Sequence, residues 1–302
     1  MKMYAECIPC QVKVRFRDIS MLFSDENVRL KYMKIIIDEL NNCLKHDMDN
    51  TVIIATRLFR LVKKLAGNDD PYRNEKMKAN RLGMKLYEEL KGKLKLLSGT
   101  ERYMFSVKAA LIGNSLDLGV ASYTPPPIHK IAEEMKMVKV HYEGHLRLLE
   151  ILKSKPTILY LLDNSGEAAL DKLYSEELRR RGAYVIAVVK KGAFQNDVTT
   201  SEVEELKLDE SFDSIVDTGT DGASIILEEV SPKFRNLLEE VDVIISKGMA
   251  HYEYLTEIEK LLNKPVLYMF KAKCTPIASS LKVSTGSYVA LFKLINSRMG
   301  LR

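Results

Sequence analysis

The hydrophobic period of this chain changes once, at Lys155-Pro156, and that change restricts the fold more than any other feature. Ahead of it, from Pro9 to about Ser154, apolar residues recur every three to four positions, as in the segments 28–40, 51–62 and 84–94. That is the period of an α-helix, so residues 1–154 are expected to form a helical N-terminal domain. Its breaks fall at Gly67–Pro71 and at Tyr123–Ile128, where prolines remove backbone donors. Beyond Pro156 the pattern becomes short β-rich runs at 157–162, 184–189, 214–216, 241–245 and 265–270, separated by helical stretches such as the amphipathic 167–181. Runs of that length that are apolar on both faces signal buried parallel strands joined by right-handed crossovers. Residues 155–302 are therefore expected to form a Rossmann-like, doubly wound, mainly parallel α/β sheet.

Composition removes several function classes. With 46% apolar and 29% charged residues over 302 positions, the chain can build a core and is neither disordered nor fibrous. No apolar run approaches the roughly 18 residues of a spanning helix, and the start lacks a signal-peptide hydrophobic region, so a cytoplasmic protein is expected. The net charge of +5 comes from basic and acidic residues interspersed along the chain, the pattern of a solvated surface and not of a nucleic-acid or membrane-binding face. Four cysteines, at 7, 10, 43 and 274, are too few and too scattered for a disulfide framework and read as reduced thiols.

Ligands of an open parallel sheet sit beyond the carboxyl ends of its strands. There the residues are polar: Asp163-Asn164-Ser165-Gly166-Glu167 after the first run, Lys190 to Asp197 after the second, Asp217 to Gly222 after the third, and Ser246-Lys247-Gly248 after the fourth. Asp163, Asn164 and Asp197 supply two carboxylates and one amide carbonyl, a hard oxygen set that leaves positions on Mg²⁺ or Mn²⁺ for water and substrate. Capping of a helix starting near Gly166 is the competing explanation for Asp163 and Asn164. Lys247, between Ser246 and Gly248, could neutralise a phosphate as a point charge, or sit in a surface loop. The loop around Gly219 and Thr220, opening a helix at about Ser224, could turn backbone N–H groups toward the same anion, or form a glycine turn. Glu253 is a candidate proton carrier, with a solvated carboxylate at a helix start as the alternative.

Cys7-Ile8-Pro9-Cys10 has the spacing of a metal or redox pair, and Cys274 could approach it, but no second pair completes a zinc site. Buried apolar thiols are the competing reading. There is no H-E-x-x-H, no nucleophile elbow, no Walker lysine and no G-x-G-x-x-G after the first run, so zinc proteases, α/β-hydrolases and the usual nucleotide sites are unsupported.

Taken together, Asp163–Glu167, Phe194–Asp197, Ser246–Glu253 and Lys271–Ala278 resemble the signature blocks of the DUF89 family, the damage-control phosphatases or ARMT1-like metal-binding proteins. The resemblance spans nearly the whole chain, and Cys7–Cys10 with Gly113–Asp117 is similar to its compact, mainly archaeal branch. It implies hydrolysis of phosphate monoesters of small metabolites, such as sugar phosphates or damaged phosphometabolites, with a divalent metal (Mg, Mn, Co or Ni). It implies further that Asp163, Asn164 and Asp197 are metal ligands, that Lys247 serves phosphate binding, and that Asn114 and Asp117 face the same cleft. The family's usual Ser-Lys-Gly-Gln-Gly-Asn-Tyr-Glu reads here with Met249, Ala250 and His251, which bears on substrate preference and leaves the metal set untouched. The nucleophile is either a metal-activated water or the Asp163 carboxylate. An S-adenosylmethionine-dependent carboxyl methyltransferase is a second reading, against which the lack of a glycine-rich first turn counts. A non-catalytic sensor of metal or phosphometabolite is a third.

Overall fold

The computed structural model describes residues 1–46, 50–116, 134–135 and 137–294; Asp117 and the Pro-rich break at 123–128 lie outside the described residues. Five helices lead the chain: α1 (Cys7–Leu22), α2 (Glu26–Lys45), α3 (Thr51–Ala66), α4 (Arg73–Leu94) and α5 (Gly99–Gly113). Local chemistry sets their ends. The Asn50 side chain accepts from the N–H groups of Val52 and Ile53 to open α3, and Gly67, at φ +57°, closes it in the left-handed conformation.

The sheet has seven strands: β1 (Val140–His141), β2 (Thr157–Leu161), β3 (Tyr184–Val189), β4 (Ser214–Asp217), β5 (Val243–Lys247), β6 (Val266–Lys271) and β7 (Tyr288–Lys293). Their order is β1-β7-β6-β5-β2-β3-β4. Every pairing is parallel except β6 with β7. The five strands expected from the β-rich runs are all present, and the sheet is the mainly parallel one expected. Two strands were not anticipated. β1 is only two residues long, too short to carry a period, and it sits inside the half read as helical. β7 returns antiparallel along β6, with Val289 opposite Phe270 and Leu291 opposite Tyr268, and so needs no crossover helix to announce it.

Two apolar clusters cover the two faces of the sheet, and both mix residues from either side of Pro156. One holds Leu86, Leu90, Val107 and Leu111 of α4 and α5 with Leu170, Leu173 and Leu178; the other holds Ile19, Ile36, Leu58 and Val62 with Leu159, Ile244 and Tyr268. The helical half is therefore wrapped onto the sheet. Its consequence is clearest at helix Glu167–Arg180, expected to be amphipathic with a solvated side. Its polar residues Asp171, Lys172, Ser175 and Glu177 are buried, because α4 and α5 cover the outer side. They find partners there: Lys172 Nζ donates to the Leu206 carbonyl at 2.8 Å and Ser175 Oγ to that of Ser211 at 2.6 Å, while Asp171 accepts through Oδ1 alone.

Candidate active site

From β2 the chain runs outward through β3 to β4 on one side, and later through β5 to β6 on the other. The crevice where the direction reverses, between the carboxyl ends of β2 and β5, is where such a sheet holds its ligand. Asp163 stands two residues past β2, and Gly248 immediately follows β5. Gly248 is at φ +79°, and a Cβ there would fall 2.0 Å from Asp163 Oδ2, so only glycine lets the backbone pass this close to the carboxylate.

The loops after β2 and β3 are zipped together. Asn164 and Asp197 form an antiparallel bridge, Ser165 N donates to the Asn196 carbonyl at 2.8 Å and Val198 N to that of Asp163 at 2.9 Å. Asp163, Asn164 and Asp197 consequently line one cavity of about 300 Å³. Lys190 Nζ lies 3.3 Å from Asp197 Oδ2. Neither Asp163 nor Asn164 caps the following helix, whose first residue is preceded by Gly166 with no side-chain cap. Gly166 is instead clamped from the helical half, its N–H donating to Asn80 Oδ1 at 2.9 Å, while Gly83 of α4 passes so close that a Cβ would sit 2.3 Å from the Gly166 carbonyl oxygen.

Behind Asp163 lies a buried polar network. Asn114 Nδ2 donates to Asp163 Oδ2 at 3.0 Å and to Glu167 Oε2 at 2.9 Å, and Asn114 Oδ1 accepts from Lys271 N at 3.0 Å. Asn164 Nδ2 donates to the same Asp163 oxygen at 2.7 Å and to Glu167 Oε2 at 2.8 Å, and its Oδ1 accepts from Asn196 Nδ2 at 2.9 Å. Lys247 Nζ donates to Glu167 Oε1 at 2.6 Å, Asp171 Oδ1 at 2.5 Å and the Ala110 carbonyl at 2.8 Å. Burial raises Asp171 above the usual carboxylate range even though Lys247 pulls it down. Burial alone would lower Lys247, but Asp171 and Glu167 outweigh it and hold the ammonium charged.

Several expected roles change on this geometry. Lys247 has no exposure and points into the network, away from the cavity, so it holds Glu167 instead of meeting a phosphate as an open charge. Asn114 likewise orients Asp163 from behind. Ser246 is fully buried and its Oγ has no hydrogen-bond partner. Gly219 and Thr220 line a different cleft, with Arg60, Lys63 and Glu229. Their loop spends its amides internally: Gly219 N donates to Asp217 Oδ1, Thr220 N to Thr218 Oγ1 and Gly222 N to Thr220 Oγ1. The helix expected near Ser224 does not form; the next helix is Pro232–Glu240.

Glu253 does line the cavity, and burial pushes its carboxyl up to about 7 against the pull of the N-terminal ammonium. Cys7, Cys10 and Cys274 also meet there, as the sequence allowed. Burial drives Cys274 up to about 12 and raises Cys7, so in the metal-free protein these two thiols are protonated at neutral pH and are poor nucleophiles. Of the unusual trio, Met249 and Ala250 face the cavity. His251 is buried elsewhere, its Nδ1 sharing a hydrogen bond with Ser224 Oγ at 2.8 Å, and burial keeps it neutral.

Sequence reasoning missed the contribution of α1. Gln11 and Arg15 line the cavity, and the signal was a row of polar residues, Gln11, Arg15 and Asp18, on the same side of the helix as Val14 and Ile19. Gln195 was also missed, and its φ of +45° is legible only in the structure.

Among the described residues no group of three His, Cys, Asp or Glu side chains is arranged to hold a metal. Two carboxylates and one carboxamide on one cavity wall do fit an oxygen-ligated hard cation that completes its shell with water and substrate. The close pass of Gly248, which fixes Asp163 at the crevice, supports that fit.

Residues 3–289 match the family model described as the damage-control phosphatase ARMT1-like domain. An uncharacterized protein of Methanocaldococcus jannaschii is 32% identical over 96% of this chain and 95% of its own length. A damage-control phosphatase of Pyrococcus horikoshii is 31% identical over 97% of this chain and 100% of its own length. The crystal structure of a DUF89 family protein from Pyrococcus horikoshii superposes with a TM-score of 0.85 at 30% identity, covering 96% of this chain and 99% of that one.

Proposed function

This chain belongs to the damage-control phosphatase ARMT1-like family, and on that premise we propose that it hydrolyses phosphate monoesters of small damaged or unwanted metabolites, using a divalent cation held by Asp163, Asn164 and Asp197. The enzyme is a phosphomonoester hydrolase; the methyltransferase alternative finds no favour in its relatives. One observation carries the assignment of the site: Asp163 and Asp197, from adjacent strand ends, line the same cavity on loops joined by the Asn164–Asp197 bridge.

Mg²⁺, Mn²⁺, Co²⁺ or Ni²⁺ bound there would supply Lewis-acid charge to phosphoryl oxygens. The protein's own contribution is positioning. Two amide N–H groups, from Asn114 and Asn164, converge on Asp163 Oδ2 and fix the carboxylate before any ligand arrives, which lowers the reorganisation needed at the moment of reaction. Glu253, about half protonated near neutral pH, can hand a proton to the departing alkoxide. The apolar side of the cavity, including Val52, Phe194 and Met249, excludes water around the organic part of the substrate. No helix among the described residues is long and apolar enough to cross a membrane, and we assign the enzyme to the cytoplasm, where its thiols stay reduced.

Replacing Asp163 by Ala tests the reading. Hydrolysis of para-nitrophenyl phosphate should vanish with each of the four metals while the circular dichroism spectrum is retained, since the side chain sits on a loop. Full turnover by the variant would refute the assignment, and methylation with S-adenosylmethionine in place of hydrolysis would revive the alternative.

A further inference from the structure

We propose that Arg15 is the group that grips the substrate's phosphate from the α1 wall of the cavity, a role that rests on the phosphatase reading above. The cavity carries Glu6, Asp163, Asp197 and the half-protonated Glu253, so a doubly charged phosphomonoester meets more negative charge than one divalent cation offsets. Among the described residues only Lys13 and Arg15 bring positive charge to the lining. Lys13 is exposed to solvent; Arg15 has 1% of its surface exposed.

The guanidinium is held rigidly on three sides. Arg15 Nε is 2.9 Å from Asp18 Oδ2, Nη1 donates to the Ala55 carbonyl at 3.2 Å, and the carbon of the guanidinium lies 5.3 Å from the centre of the Phe59 ring. Asp18 is itself fixed by the Tyr72 hydroxyl. Among the described residues the second amino nitrogen, Nη2, has no hydrogen-bond acceptor. A guanidinium is permanently charged and presents its N–H groups in a planar fork, so an Nη2 left without an acceptor in the wall of a cavity is open to the oxygen of an anion that enters there. Next to it in the same lining, Gln195 carries a buried Nε2 that is also without a hydrogen-bond partner, on a backbone held at φ +45°. Two unfilled donors in one cavity, one of them cationic, match the acceptor oxygens of a phosphate.

Arg15→Lys in the full-length protein is the test, because lysine keeps a positive charge beside Asp18 and removes the free Nη2. Calorimetric titration of inorganic phosphate into Mn²⁺-loaded protein should show affinity about 10- to 100-fold weaker than wild type, the loss expected for a hydrogen bond to a charged group. Mn²⁺ affinity should stay within about twofold, and KM for para-nitrophenyl phosphate should rise in step with the phosphate affinity. A folded variant that binds phosphate as wild type does overturns the proposal, even if hydrolysis by wild type is intact. Should the lysine variant fail to fold, Arg15→Gly combined with Asp18→Asn leaves no buried carboxylate unpaired. Millimolar guanidinium should restore its phosphate binding, and absence of rescue counts against the role. Wild-type protein that binds phosphate through Arg15 yet hydrolyses no monoester would sink the phosphatase reading alone.

Discussion

Replacing Lys247 by Met removes the ammonium that joins Glu167, Asp171 and the Ala110 carbonyl, and leaves two carboxyl groups at a site with no exposure. Breaking a buried ion pair from one side costs roughly 3–5 kcal/mol. Asp171, already raised by burial and losing the partner that pulled it down, takes up a proton and relieves part of this, so the lower end, about 3 kcal/mol, is expected. At roughly 2–4 °C per kcal/mol for a protein of this size class, the melting temperature should fall by about 6–12 °C. The sign with pH follows: Asp171, raised by burial and without Lys247 to pull it down, binds its proton more tightly in the folded variant than in the unfolded chain. The deficit should therefore be smallest in acid and grow as pH rises through neutrality. Function should fall through the same contacts, because Glu167 holds both Asn114 and Asn164 onto Asp163. Loss of such outer partners typically weakens metal binding about 10- to 100-fold. Thermal melts at several pH values, Mn²⁺ titration and KM on one monoester read the three effects. A variant melting within a degree of wild type, with Mn²⁺ affinity intact and only KM raised, would place Lys247 on the phosphate and refute this reasoning.

Two further outcomes are expected. Activity should fall as pH rises above about 7, as Glu253 loses the proton it donates, and Glu253→Gln should remove that limb from the rate profile; a limb that survives the substitution assigns it to another group. Thr220→Val breaks the bond to Glu229 and should cost about 1 kcal/mol of stability with KM unchanged, because that loop lines the other cleft; a raised KM would return the loop to the substrate.

What could be read from the sequence was whatever a local pattern encodes. The β-rich runs announced five strands, and polar residues clustered at their ends located Asp163, Asn164 and Asp197, because a parallel sheet brings neighbouring strand ends together by topology. What the pattern could not encode was which way a side chain faces once other elements close over it. Lys247 looked like an exposed loop cation and proved to be the centre of a buried network. Asp171 and Lys172 belong to a segment whose amphipathic pattern carries no sign that α4 and α5 cover its polar side. Arg15 was hidden for the opposite reason. A charge within a helix reads as surface, and only the cavity between α1 and the loops after β2 and β3 shows that it faces inward.

Asp163 and Asp197 are proposed to hold one divalent cation between them. Mn²⁺ titration monitored by electron paramagnetic resonance measures this without any substrate. Wild type should bind one Mn²⁺, and Asp197→Asn should weaken it by tenfold or more while the melting temperature of the metal-free protein stays within a few degrees. Mn²⁺ affinity unchanged in Asp197→Asn would mean that the two carboxylates do not share a metal, and the proposed site would fall.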